Sequence, residues 1–198
     1  MLGFGLIVWV QVALGLDGGV GLTHRIPVPR ERFWVGVWNR RGGEIRRVGP
    51  HAYGGFTLRY LYRRDRFIES GGMGRWYEVG VGGRRETFFA ATVPIRWGAR
   101  IDTTGWWVWG GLSASFLLQV RSRPDSAQVY RFADYFNRSQ LHLQAGIERL
   151  FMNRWGVGLQ VSWDLSSAWD RVLYQDSQTL ARHFHLTSYL RYTVWNLQ

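Results

Sequence analysis

The sequence predicts an all-β fold, a closed antiparallel up-and-down transmembrane β-barrel of about eight strands. Three features indicate it: apolar and polar residues alternate along long segments, short and long connections alternate between those segments, and aromatic residues gather at segment ends. The composition agrees, since 198 residues include 12 Trp, 9 Tyr, 11 Phe and 25 Gly, and only 20% are charged. This mixture suits twisted strands and membrane interfaces better than a helical bundle.

The N-terminus has the character of a targeting segment. Residues 2–14 are almost wholly apolar but too few to span a bilayer as a helix. Ala13 and Gly15 are small residues at the spacing that a signal peptidase recognises. The sequence therefore predicts a signal peptide over residues 1–15 and one barrel domain over 16–198. No Lys or Arg precedes the apolar run, so a start upstream of Met1, or a strand that is never removed, stays open as an alternative.

The strands are predicted from an alternation with a period of two. In residues 183–195 the even positions are mostly apolar, from Phe184 to Val194, and the odd positions are mostly polar, from His185 to Thr193. Segments of eleven or more residues also match the tilted span of a membrane strand. Eight strands are predicted, at residues 16–25, 52–63, 66–77, 87–100, 106–121, 140–151, 155–165 and 183–195.

The predicted connections alternate in length. Tight turns at 64–65, 102–104 and 152–153 separate longer links at 26–51, 78–86, 122–138 and 166–182. In bacterial outer-membrane barrels the short turns face the periplasm and the long loops face outside. Six aromatic residues lie at the short-turn ends of the strands and are expected to form one interfacial girdle: Tyr62, Trp97, Trp106, Phe151, Trp155 and Trp195.

The composition of the polar face favours a membrane barrel over a soluble one. It carries Gly, Ser, Thr, Gln and His with a few charges of both signs, whereas a water-facing surface normally carries many Lys and Glu. We therefore expect a narrow lumen filled by a paired polar network. A soluble, lipocalin-like ligand-binding barrel remains the alternative. The predicted network comprises Arg59, Glu69, Arg96, Arg121, His142, Glu148, Asp164, His185 and Arg191.

The basic residues bear on possible partners. The net charge is +11 and all 25 basic residues are Arg, but they are scattered rather than clustered in a nucleic-acid-binding motif. Nucleic acid is therefore not predicted as a partner. The lipid bilayer is predicted, with anionic lipid headgroups as candidates because guanidinium binds phosphate in a bidentate fork. The oligomeric state is left open.

Catalytic chemistry is weakly indicated. An outer-membrane enzyme acting on lipid or peptide at the barrel rim is one alternative, but no spacing places a nucleophile beside a base. His183 and His185 share a strand face without an obvious third ligand, so no metal and no cofactor is predicted. The favoured role is therefore non-enzymatic, structural or in recognition through the long loops. The candidate residues for such catalysis are Ser139, His142, Glu148, Ser162, Asp164 and His185.

One stretch resembles a known family. Residues 88–97, Phe-Phe-Ala-Ala-Thr-Val-Pro-Ile-Arg-Trp, look like the aromatic-x-x-x-x-[IV]-P strand of the PorT-like outer membrane protein β-barrel family, and the resemblance extends through 106–118, 144–148 and 188–195. It implies an eight-stranded barrel in the bacterial outer membrane, inserted by the barrel-assembly machinery, without shared catalytic residues. The chain departs from the family at its end, where three residues follow Trp195, and in its Arg- and Trp-rich first loop.

Overall fold

The computed structural model describes residues 11–29, 48–81, 84–123, 129–130, 138–151, 154–166 and 179–197. In this part of the chain no helix is long and apolar enough to cross a bilayer. The strands are β1 (Gln11–Pro29), β2 (Val48–Arg63), β3 (Arg66–Val81), β4 (Arg84–Arg100), β5 (Trp106–Arg123), β6 (Val129–Tyr130), β7 (Ser139–Phe151), β8 (Trp155–Asp164) and β9 (Thr179–Leu197).

Eight long strands close into a barrel. Their order is β4-β3-β2-β1-β9-β8-β7-β5, every pairing is antiparallel, and the β4–β5 pairing joins the two ends of the sheet. The two-residue strand β6 adds to β5 only, opposite Val120 and Arg121. Within the described strands, closure leaves no long edge of unpaired backbone groups, which is the condition for placing a sheet in a bilayer. The predicted fold class and strand number are confirmed.

The first strand begins earlier than predicted. Gln11 pairs with Leu61 and Ala13 with Arg59, and β1 also pairs with β9 from Val12 onward. The predicted start at residue 16 is therefore wrong, because residues 11–15 continue the same ladder. Residues 1–10 lie outside the described residues, and removal of 1–15 stays a prediction.

One predicted long link is wrong. Val81 pairs with Arg84, so β3 and β4 are joined by two residues instead of the link predicted at 78–86. The valines at 79 and 81 carry the strand forward to two glycines, a pair typical of two-residue hairpins. The turns at 64–65 and 102–104 lie where they were predicted. The turn predicted at 152–153 falls outside the described residues.

The β4–β5 turn is held by one carboxylate. Asp102 accepts hydrogen bonds from the Thr104 hydroxyl at 2.6 Å and from the backbone N–H groups of Thr104 and Trp106 at 3.0 and 3.2 Å. The first of these bonds is the main cause that lowers the pKa of Asp102. Gly105 follows with φ of +93°, a conformation that favours glycine. Local chemistry therefore fixes this short turn.

The outer and inner faces of the barrel wall differ in polarity, as they do in a membrane barrel. Large apolar side chains point outward and stay exposed along the strands, including Val20, Ile95 and Leu159, the last of which is 54% exposed. Charged and hydrogen-bonding side chains point inward and are buried. A soluble barrel has the opposite arrangement, and monomeric soluble proteins rarely expose so continuous an apolar surface. The chain is therefore a transmembrane β-barrel.

A bulge reverses the faces near the end of β5. Phe89 pairs with Gln119 and Ala90 with Leu117, so Leu118 has no partner on β4. An extra residue shifts the two-residue alternation by one. Val120, which an uninterrupted alternation with Leu112 and Phe116 would place on the outer face, is consequently buried, and Arg121, predicted in the lumen, is exposed. The placement of Arg121 in the lumen network is wrong for this reason.

Candidate functional site

A balanced group of charges blocks the lumen near the short-turn end. We call it the ionic layer, and its side chains reach the interior within four residues of strand ends on β2, β3 and β7. All six residues are 7% exposed or less. Three are basic and three acidic, which is how ions can be buried together at low net charge. The ionic layer consists of Asp17, Arg59, Glu69, Arg96, Glu148 and Arg191.

Each cation of the ionic layer meets at least two carboxylates. Arg59 donates to Glu69 at 2.8 Å and to Glu148 at 2.9 Å. Arg191 donates to Asp17 at 2.7 Å and to Glu69 at 2.9 Å, and its Nη1 lies 3.0 Å from Glu148. The third cation, Arg96, donates to Glu69 at 3.1 Å, and its Nη1 lies 3.8 Å from Asp17 Oδ2. The contacts join six strands across the lumen, so the network couples β1, β2, β3, β4, β7 and β9.

Aromatic side chains fill the space around these charges. The Arg59 guanidinium lies 3.9 Å from the ring centre of Phe67, and that of Arg96 lies 4.5 Å from Trp109. Gly146 faces Trp109 so closely that an added Cβ would collide with the indole. The lumen is therefore plugged, and it is less purely polar than the sequence indicates. The buried apolar cluster consists of Tyr53, Phe67, Met73, Trp107, Trp109 and Tyr189.

A cavity of about 420 Å³ opens at the short-turn mouth of the barrel. Its walls include Gln11 and Gly15 of β1, and Arg59 and Arg191 of the ionic layer also line it. The cavity is therefore a vestibule bordered by the charges that block the lumen.

A second polar group lies toward the long-loop end. We call it the histidine layer: Asp164 with His51, His142, His183 and His185, all 2% exposed or less. Asp164 Oδ1 is 2.6 Å from His142 Nδ1 and 3.6 Å from His185 Nε2. Asp164 Oδ2 accepts from the backbone N–H of His183 at 3.0 Å and lies 2.8 Å from its Nδ1. One carboxylate therefore gathers three histidines from β7 and β9.

Hydroxyl groups hold the far sides of these rings. His142 Nε2 lies 2.8 Å from Ser115 Oγ, and His185 Nδ1 lies 2.8 Å from Thr23 Oγ1. His51 Nδ1 lies 3.1 Å from the Thr187 hydroxyl. Among the described residues, the Nε2 atoms of His51, His183 and His185 have no hydrogen-bond partner. Buried nitrogens of this kind are costly unless something binds them.

The structure distributes the nine predicted lumen residues between the two layers. Arg59, Glu69, Arg96, Glu148 and Arg191 lie in the ionic layer. His142, Asp164 and His185 lie in the histidine layer, and Arg121 lies outside the barrel, as described above.

Some residues of the two layers, and the serine that contacts His142, are not among the residues predicted from the sequence. Asp17 shares a face with Gly15, Gly19 and Thr23, so alternation in β1 was a usable signal. No sequence pattern specifically indicates Ser115 or His51 as part of a site. Of the two serines weighed as nucleophiles, Ser139 is exposed and Ser162 is buried. Ser115 is the serine whose hydroxyl lies beside His142.

The predicted girdle residues all lie at the short-turn end. Trp97 and Trp195 are 54% and 51% exposed, whereas Trp106 is partly buried and has the Arg149 guanidinium 5.6 Å from its ring centre. Trp155 packs on Tyr192 with ring centres 4.7 Å apart. Tyr62, Phe151 and Trp155 are between 37% and 40% exposed. The aromatic rings therefore border the apolar outer face.

Comparison with known proteins supports the fold. No protein-family model and no curated protein sequence matches the chain. Among solved structures, Neisserial surface protein A is similar with a TM-score of 0.54 and 8% identity, over 89% of this chain and 96% of that protein.

Two further structures show lower similarity. Ail, the attachment invasion locus protein of Yersinia pestis, gives a TM-score of 0.45 at 12% identity, over 91% of this chain and 99% of that one. The outer membrane protein OprG of Pseudomonas aeruginosa gives 0.43 at 10%, over 94% and 96%. The TM-score of 0.54 shows that the chain shares the barrel fold of Neisserial surface protein A.

Proposed function

We propose that this protein is an integral barrel of the bacterial outer membrane with a closed lumen, and that its role is structural or in recognition through the long loops. The observation that carries the proposal is the pairing of an apolar outer face with an inner face whose buried charges balance one another. An eight-stranded barrel has just enough interior for its own side chains. Solutes therefore find no path past the ionic layer.

The short-turn end supports an orientation and a lipid partner. Short turns and both chain ends face the periplasm in such barrels. Next to the aromatic girdle, this end carries exposed arginines, whose long side chains can reach headgroup phosphates. We propose anionic phospholipid headgroups of the inner leaflet as their ligands. These arginines are Arg63, Arg64, Arg66, Arg100, Arg149 and Arg154.

The sequence of β4 bears on the family and on how the chain is inserted. We propose that residues 88–97 mark a PorT-like barrel and that the barrel-assembly machinery inserts the chain. In support, the motif forms part of β4, with Pro94 and Arg96 turned inward and Ile95 and Trp97 outward.

Conductance tests the closed lumen. Purified protein, verified as folded by heat-modifiable migration, would be inserted into planar lipid bilayers in potassium chloride. We expect no stepwise current, because the ionic layer and its aromatic packing fill the cross-section. A stable open channel in the unmodified protein would contradict the proposal.

An enzyme acting on lipid or peptide is a second candidate, and one geometric observation favours it. His142 lies between a serine and an aspartate: its Nε2 is 2.8 Å from Ser115 Oγ, and its Nδ1 is 2.6 Å from Asp164 Oδ1. Serine, histidine and aspartate are arranged in this order in a serine hydrolase triad. Against it, Ser115 is only 1% exposed and its hydroxyl also bonds Thr92 at 2.7 Å. Labelling by a fluorophosphonate probe that Ser115→Ala abolishes would support the enzyme, and an unlabelled protein would reject it.

A further inference from the structure

We propose that the histidine layer is a binding site for one divalent transition-metal ion, with His142, Asp164 and His185 as its ligands. The proposal goes beyond the closed-barrel function, which holds with or without an ion. His142 Nδ1, Asp164 Oδ1 and His185 Nε2 can be brought to one ion because one donor atom from each residue lies within 4.8 Å of the others. Two imidazoles and a carboxylate are a common ligand set for zinc.

The donor atoms are spaced so that a metal ion can replace the proton between His142 Nδ1 and Asp164 Oδ1. Asp164 Oδ1 lies 2.6 Å from His142 Nδ1 and 3.6 Å from His185 Nε2. Metal–ligand distances of about 2.0–2.2 Å place tetrahedral donors about 3.3 Å apart. A shift of under about 1 Å therefore brings the His142–Asp164 pair to the spacing of two ligands on one ion. The Asp164–His185 pair at 3.6 Å already lies close to that spacing.

The outer contacts orient each ligand. Thr23 Oγ1 lies 2.8 Å from His185 Nδ1, so His185 Nε2 faces the Asp164 carboxylate. Ser115 Oγ lies 2.8 Å from His142 Nε2, so His142 Nδ1 faces the same carboxylate. His183 holds the second carboxylate oxygen through its backbone N–H and its ring. Metal-binding histidines almost always have their other nitrogen fixed in this way.

The unpartnered nitrogens provide an independent indication. His185 is fully buried, yet its Nε2 has no hydrogen-bond partner among the described residues. His51 is 2% exposed, its Nε2 is likewise without a partner, and its ring centre lies 4.9 Å from that of His185. A bound ion satisfies the first nitrogen, and His51 is the nearest candidate for a fourth ligand. The lumen therefore contains two imidazole nitrogens that are available to bind a metal ion.

The chemistry of the donors selects the kind of ion. Imidazole nitrogen suits Zn²⁺, Cu²⁺, Ni²⁺ and Fe²⁺, whereas Mg²⁺ and Ca²⁺ take oxygen ligands. Asp164 supplies one negative charge. We therefore assign the site to a borderline transition-metal ion and take Zn²⁺ as the ion to test.

Zinc titration of the refolded protein tests the site. Untagged protein in detergent, stripped with a chelator, would be titrated with Zn²⁺ by calorimetry, and Co²⁺ would report coordination through its visible absorption. We expect one ion per chain. His142→Ala and His185→Ala are expected to weaken Zn²⁺ binding at least about tenfold. His24→Ala is the matched control, since the fifth histidine lies on β1 next to Thr23 with its side chain on the opposite face.

A conservative variant keeps the test valid if the histidine variants do not fold. Thr23→Val retains every ligand and removes only the hydroxyl that orients His185, so a roughly tenfold or larger loss of affinity is expected with unchanged heat-modifiable migration. No zinc binding by the folded wild type would overturn the proposal. Equal binding by the wild type, Thr23→Val and both ligand variants, or loss in His24→Ala alone, would also overturn it, since the ion would then sit elsewhere.

Discussion

Replacing Glu148 by Ala is expected to lower the free energy of unfolding by about 3–5 kcal/mol, because it leaves buried guanidinium groups without their carboxylate. Glu148 is fully buried, and it accepts hydrogen bonds from Arg59 at 2.9 Å and from the Tyr189 hydroxyl at 3.0 Å. Arg191 Nη1 also lies 3.0 Å from it. Urea titration in detergent or lipid, followed through the heat-modifiable band, measures the change.

The adjacent residue provides the control. Arg149 is exposed at the short-turn end, so Arg149→Gln is expected to change the stability by less than about 0.5 kcal/mol. The double variant Glu148→Leu with Arg59→Met should recover part of the loss, since removing a buried pair together is far less costly than breaking it. Equal effects of the Glu148 and Arg149 variants would show that the ionic layer does not stabilise the barrel.

Leu159→Arg is expected to destabilise the barrel by about 2–4 kcal/mol in a lipid bilayer, because it places a charge on the lipid face near the middle of β8. Leu159 is 54% exposed, so the same change on a soluble protein would cost little. Unfolding in liposomes by denaturant, monitored by tryptophan fluorescence, gives the difference.

Ile101 offers the comparison at the membrane boundary. It is 56% exposed, as Leu159 is, but it lies in the short turn after β4. Ile101→Arg is therefore expected to cost about 0–1 kcal/mol. If both arginine variants were equally harmless, the outer face would not be in contact with hydrocarbon.

The fold was predictable because alternation is a local property. Each strand of β7 to β9 carries its two faces in its own residues, so strand identity and the inward positions of His142, Glu148 and His185 follow from the sequence. Alternation indicates the wrong face where a single extra residue changes its phase. The bulge at Leu118 is invisible in the sequence, and it turns Arg121 outward.

The site was less predictable, because contacts across the lumen depend on the stagger between strands, which alternation does not specify. The sequence places Asp164 and His142 on inward faces, but only the register of β7 with β8 makes them neighbours. β3 was harder still, since its inward face mixes Glu69 and Arg75 with apolar residues such as Phe67. The histidine layer therefore does not follow from the sequence as a single cluster.

Collision accessibility of spin labels tests the membrane-spanning barrel most directly. The chain has no cysteine, so the single variants Leu159→Cys, Val161→Cys and Ile101→Cys can each be spin-labelled without background. The labelled proteins would be reconstituted into liposomes. Labels at Leu159 and Val161 should collide with oxygen dissolved in the bilayer and be shielded from a water-soluble nickel chelate, whereas the label at Ile101 should meet the chelate. Nickel accessibility at Leu159 and Val161 equal to that at Ile101 would contradict a transmembrane barrel.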